Sequence, residues 1–211
     1  MIRNRLSELL SERGLKISRV SKEVSIARSS LTSMVQNDSE MIRYDAIDKL
    51  CSFLNINPGD FFEYNPLELD YSFDEDPIVD YEINYEFETK LVLKKFVFDF
   101  LVDTNIENKK NTFDLEVSFN GFRNESYFIF KITNEEKLID LQGLIKQLSP
   151  GLRNILYKRL QKNIHNYVVT SLLNDIANDS ILTIPKNDLI RLKKALEKTQ
   201  IKLESDIFTE Y

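Results

Sequence analysis

The sequence predicts an all-α N-terminal domain followed by an α+β domain. Apolar residues recur at helical spacing up to about Pro66, then switch to alternation with period two. Helical spacing returns after the alternating segments, and strands followed by helices are the element order of an α+β unit. The 211 residues are enough for one or two domains. The boundary reads as 1–65 and 66–211, with strands over about 80–133 and helices over about 135–203.

Each N-terminal helix has its own signals. The first is expected from about Ile2 to Arg13, with Leu6, Leu9 and Leu10 on one face and Gly14 ending it. The second covers Ile17 to Val24, with Val20 and Val24 inward. A short turn, Ser25-Ile26-Ala27, leads to a third helix over Arg28 to Gln36. That helix turns Leu31 and Met34 or Val35 inward, and Asn37 follows it because Asn tolerates the left-handed conformation. A fourth helix, Tyr44 to Leu54, is expected to bury Ile47, Leu50 and Phe53. Asn57 is a good N-cap for a fifth, Pro58 suits its first turn and Asp60 favours its positive end. Phe61 and Phe62 dock that helix on the others.

In the second part, Tyr81, Ile83, Tyr85 and Phe87 alternate with Glu82, Asn84, Glu86 and Glu88, a half-buried strand. Leu91 to Val102, Phe113 to Phe119 and Tyr127 to Ile132 read as further strands. Short polar connectors between them predict an antiparallel meander. Helices are expected over Glu135 to Leu148, from Ser149-Pro150 to about Ile176, and from Asn187 to about Leu203.

Composition narrows the function. One cysteine, Cys51, excludes an intramolecular disulfide, and it falls on the inward side of the fourth helix. His165 is the single histidine. No Cys-His or Ser-His set, zinc spacing or phosphate-cradling glycine loop is visible, so the reading is no enzyme, no cofactor and no metal. There is no apolar run of about 18 residues and no N-terminal apolar leader, which predicts a cytoplasmic protein without a membrane partner. The net charge is −6. Residues 1–65 are near neutral, whereas residues 66–90 carry Glu68, Asp70, Asp74, Glu75, Asp76, Asp80, Glu82, Glu86 and Glu88 against Lys90 alone. The run 68–88 reads as a linker and a solvated strand face, or as a surface that repels or mimics DNA.

Residues Gly14 to Asn37 (GLKISRVSKEVSIARSSLTSMVQN) resemble the Cro/repressor helix-turn-helix family, often called the XRE family. The resemblance continues through Ile42 to Cys51, Leu54-Asn55 and Pro58 to Phe62, and covers residues 1–65. It implies a five-helix, lambda-repressor-like domain whose third helix enters the major groove of duplex DNA. Arg28 and Ser29 then lie where family members touch base edges, and Arg28 suits a bidentate contact to guanine. Ser33 faces the same side one turn on. Ser29, Ser30 and Thr32 offer short hydroxyl donors to phosphates or base edges. Lys16, Ile17 and Arg19 open the second helix, where the family places phosphate contacts, and Arg43 and Tyr44 begin the fourth as backbone anchors. Three residues depart from the family pattern: Ile17 for a common Gln, Ala27 for the Ser or Thr cap, and Ser25 for the turn glycine.

The resemblance implies a sequence-specific transcriptional regulator, expected to be a dimeric repressor of phage or mobile-element type. Residues 66–211 are expected to make the homodimer. The chain has no Ala-Gly dipeptide and its second part does not read as an all-β protease, so the repressor is expected not to cleave itself. Relief of repression would then come from a ligand or a protein antirepressor. The alternative is a regulator whose second domain also inhibits a host protein, such as a defence nuclease.

Overall fold

Apolar positions three and four apart drive the helices of the first of two units, Met1–Leu67 and Glu68–Tyr211. The computed structural model describes residues 1–39, 41–84, 90–123, 127–135, 138–179 and 184–209. In the first unit α1 spans Leu6–Glu12, α2 Ile17–Val24, α3 Arg28–Gln36, α4 Tyr44–Leu54 and α5 Pro58–Phe61. Leu6, Val20, Leu31, Leu50 and Phe61 are fully buried at the centre of its core. Ile47 and Phe53, expected inside, are only partly buried; Ala46, Cys51 and Leu54 take the inner face of α4 beside Leu50.

The first helix does not begin at Ile2. Ile2–Asn4 is instead a strand, β1, paired antiparallel with β2, Phe62–Tyr64. Asn4 explains the difference. Its side chain accepts from the Leu6 N–H at 3.1 Å and donates to the Met34 carbonyl at 2.9 Å. Its backbone N–H donates to Asn37 Oδ1 at 2.9 Å, and Asn37 Nδ2 donates back to the Asn4 carbonyl at 3.1 Å. A helical Asn4 would lose this set. Asn37 holds the left-handed conformation expected of it, with φ 56°. Arg3, also buried, is neutralised by Glu8 and Glu63.

The second unit is built on one long strand, β5, Lys90–Ile106. Strands β3, Glu68–Phe73, and β4, Ile78–Asn84, both pair antiparallel with it along the same edge. β3 takes its C-terminal part (Phe73 opposite Phe100) and β4 its N-terminal part (Asn84 opposite Lys90). On the other edge come β6, Lys109–Arg123, then β7, Tyr127–Ile132. Helices α6, Ile139–Lys146, α7, Pro150–Asn178, and α8, Lys186–Lys198, lead to β8, Gln200–Glu204. β8 pairs parallel to β7, with Phe128 opposite Ile201 and Phe130 opposite Leu203.

Three sequence expectations are thereby corrected. The sheet is not a pure antiparallel meander, because its last strand returns parallel through helices. The final helix ends at Lys198, and Ile201 and Leu203 alternate with polar neighbours in a strand. Residues 68–73 are not a linker: Leu69, Tyr71 and Phe73 turn inward while Glu68, Asp70 and Ser72 face out. Tyr85, Glu86, Phe87 and Glu88 of the expected first strand lie outside the described residues.

The core of this unit is aromatic. Phe96, Phe98, Phe100 and Phe130 are buried on the sheet, and Tyr167 of α7 stacks on Phe73 with ring centroids 4.9 Å apart. Leu152, Leu160, Ile164, Val168, Leu172 and Ile176 give α7 a continuous buried stripe. Ser149 Oγ caps α7 by accepting from the Leu152 N–H at 3.2 Å. Gln161 donates to the Ile201 carbonyl and the Tyr157 hydroxyl to the Leu203 carbonyl, which ties α7 to β8.

The outer face of the sheet carries like charges directly opposite one another: Asp70 against Asp103, and Asp99 against Glu116. Desolvation, then Asp114, Glu116 and Asp74, push the Asp99 carboxyl above its ordinary value. A carboxyl raised on folding makes the folded state bind more protons, so stability falls as pH rises through its titration. Asp99 is exposed and water screens its neighbours, so Asp99→Asn should be more stable than wild type at neutral pH by only about 0.2–0.5 kcal/mol. The difference should vanish below about pH 4 in urea titrations. Asn4→Ala leaves buried backbone partners unsatisfied and should lower stability by about 1–3 kcal/mol in the same assay.

Candidate nucleic-acid interface

A helix that reads a major groove must be held rigidly by a second helix crossing the backbone. Here the turn Ser25-Ile26-Ala27 joins α2 to α3. Ser25 adopts φ 53°, the left-handed conformation that a glycine takes without strain. The Ser21 hydroxyl donates to the Ile26 carbonyl at 2.7 Å and fixes the turn from the α2 side. Val20 and Val24 of α2 and Leu31 and Met34 of α3 bury the inner faces. The outer face of α3 is thereby presented to solvent.

The residues picked from the sequence divide into three groups. Lys16, Arg19, Arg28, Ser29 and Ser30 are exposed at or near the starts of α2 and α3. Arg43 and Tyr44 are exposed at the start of α4, Tyr44 at 91%. Ile17, Thr32 and Ser33 are partly buried. Ile17 packs against the core, which accounts for an apolar residue at that position. The Thr32 hydroxyl donates to the Arg28 carbonyl at 2.9 Å, so its proton is engaged inside α3. A groove between α3 and the start of α4 brings Ser30 and Ser33 together with Arg43.

Electrostatics sharpen the site. Among the described residues, Arg3, Arg5, Arg13 and Arg43 are ion-paired within the unit. Lys16, Arg19, Lys22, Arg28 and Lys49 make no ion pair among the described residues, and all five lie on or beside α2, α3 and α4. The unit's near-neutral charge therefore conceals a set of cations without ion pairs on one group of helices, tempered by Glu23, Asp38 and Asp48. The starts of α2, α3 and α4, at Lys16, Ala27 and Arg43, carry no side-chain cap. Their first-turn N–H groups can serve phosphate oxygens, as helix N-termini commonly do.

Sequence reasoning missed Lys49, which lines the groove beside Arg43, and Met41, which is 90% exposed next to it. Neither has a local signal. Lys49 is one surface lysine among many, and its placement depends on the packing of α4 against α3.

Ala27 has the extended backbone of an N-cap, φ −55° and ψ 137°. Ala27→Ser should supply the missing acceptor and raise stability by about 0.5–2 kcal/mol, read as a higher urea midpoint.

No curated protein and no solved structure matches the chain. Residues 5–66 match the family model described as the Cro/C1-type HTH DNA-binding domain. The fold, the α2–turn–α3 geometry and this match agree: residues 5–66 are similar to the Cro/C1-type helix-turn-helix DNA-binding domain.

Proposed function

We propose that the protein is a sequence-specific transcriptional regulator, a dimeric repressor of phage or mobile-element type that neither cleaves itself nor catalyses a reaction. The observation that carries this reading is Arg28, exposed and without an ion pair among the described residues, at the uncapped start of α3, with Lys16 and Arg19 exposed at the start of α2. A planar guanidinium there suits the O6 and N7 edge of guanine. Lys16, Arg19 and the helix N-termini suit the flanking phosphates, which position the protein without reading sequence. A single unit of this size reads few base pairs, so two copies on half-sites about 34 Å apart, or a multiple of that, supply the specificity. The second unit supplies the contact between copies in this reading.

The acidic outer face of the second unit favours one other reading. Asp70, Asp99, Asp103, Asp114 and Glu116 share the solvent side of β3, β5 and β6. A regulator carrying such a face suits a basic host protein, which it would inhibit while the first unit binds DNA.

The deciding experiment is fluorescence anisotropy of the full-length protein on fragments of its own upstream promoter, at about 50 and 200 mM salt. Selective binding should weaken with salt. Arg28→Ala should reduce affinity for the selected site by about 10–100-fold, equivalent to about 1–3 kcal/mol. Lys16→Ala and Arg19→Ala should weaken all sequences alike and each lower the salt slope by about 1. Absence of selective binding at the lower salt overturns this reading and leaves the acidic face as the functional surface.

A further inference from the structure

The second unit contains a cavity of about 420 Å³, inside the roughly 300–1,000 Å³ range of small-molecule pockets. It lies between the start of β5, the facing ends of β6 and β7, and one side of α8. Val92, Phe122, Phe128, Leu192 and Leu196 form its apolar walls. Among the described lining residues the polar side chains are Lys90 and Thr199. Val92 and Phe122 remain 40% and 44% exposed at its mouth, above the buried Phe128, Leu192 and Leu196.

A backbone irregularity builds one wall. The β6–β7 register slips between Phe119 and Phe122, where Gly121 takes φ 106°. Residues three apart on a regular strand face opposite sides of the sheet. The bulge brings Phe122 to the same side as Phe119, with ring centroids 5.1 Å apart, and sets it 5.4 Å from Phe128. Bulges re-aim side chains in this way. The bulge thus places a large aromatic ring at a cavity mouth, half in water, where regular pairing would have turned it to the other face.

The polar groups indicate the chemistry of the occupant. The Thr199 hydroxyl donates to the Ala195 carbonyl at 3.0 Å. Lys90 is the one charged side chain among the described lining residues, and no ion pair engages it among the described residues. We propose that this cavity binds a small amphipathic molecule, with an apolar ring-bearing body between Phe122, Phe128 and α8 and an anionic group at Lys90. The proposal is independent of DNA binding by the first unit.

Two fluorescent probes of the same shape test it on the full-length protein: 8-anilinonaphthalene-1-sulfonate, which is anionic, and N-phenyl-1-naphthylamine, which is neutral. Both should bind saturably at one site per chain, and decanoate should displace the sulfonate. Ala195→Trp, at an exposed position on the cavity wall, should weaken both probes by about tenfold or more. Lys90→Gln should weaken the sulfonate by about tenfold and the neutral probe by less than about twofold. Circular dichroism confirms folding of each variant. Val92→Glu, which puts a carboxylate in the wall, should repel the sulfonate and replaces Ala195→Trp if that variant fails to fold. Absence of saturable binding, or unchanged binding in the wall variants, overturns the site; a sulfonate affinity insensitive to Lys90→Gln overturns the anionic assignment.

Discussion

The first unit depends on a pair of asparagine side chains that clamp the end of α3 to the strand before α1. The Asn37 side-chain amide accepts from the Asn4 backbone N–H and donates to the Asn4 carbonyl, and the Asn4 side chain donates to the Met34 carbonyl. Buried amides are stable only when so satisfied, and a satisfied set is directional where hydrophobic packing is not. The apolar residues of α3 keep it on the core; the amides fix where along its axis it ends. The exposed start of α3, nine residues away, inherits that registration. Recognition of base edges tolerates little sliding, so under the proposed function a polar clamp at one end of the helix would serve contacts at the other.

The second unit follows a different logic. Its order comes from aromatic rings on β5 meeting a single long helix, with Tyr167 lying between Phe73 and Phe98. One face of the sheet is dry and closely packed, whereas the other accumulates carboxylates that oppose each other across strands. Such opposition weakens a sheet, and the aromatic face offsets it. A charged outer surface and an aromatic inner one on the same strands let the domain carry strong negative charge without loss of its core.

Most helices of the first unit were legible because their signals are local: apolar spacing, Gly14, Asn37 and the Asn57-Pro58 start. What was not legible depended on distant partners. Ile2–Asn4 reads as helix until Phe62–Tyr64 is placed beside it. Gln200–Glu204 follows a helix with no breaker between, and its partner lies about seventy residues earlier. The strand at 68–73 did have a local signal, since Leu69, Tyr71 and Phe73 alternate with polar residues; its acidity masked the period. For the site, residue types at the helix starts placed Arg28, Ser29 and Lys16 on the surface. Sequence could not reveal that the Thr32 proton is held inside α3, that Ile17 packs on the core, or that Lys49 joins the groove.

The parallel pairing of β8 with β7 has a consequence for how the chain acquires its structure during synthesis. The first unit closes once Tyr64 has emerged, because its last strand pairs with its first. The second cannot complete its sheet until residues 200–204 are available to β7. Contacts so distant in sequence form slowly, since a long loop must be ordered before they reward it. A nascent chain therefore carries a finished first unit while the edge of β7 still waits for its partner. Chain elongation itself sets an order in which the first unit is native well before the second.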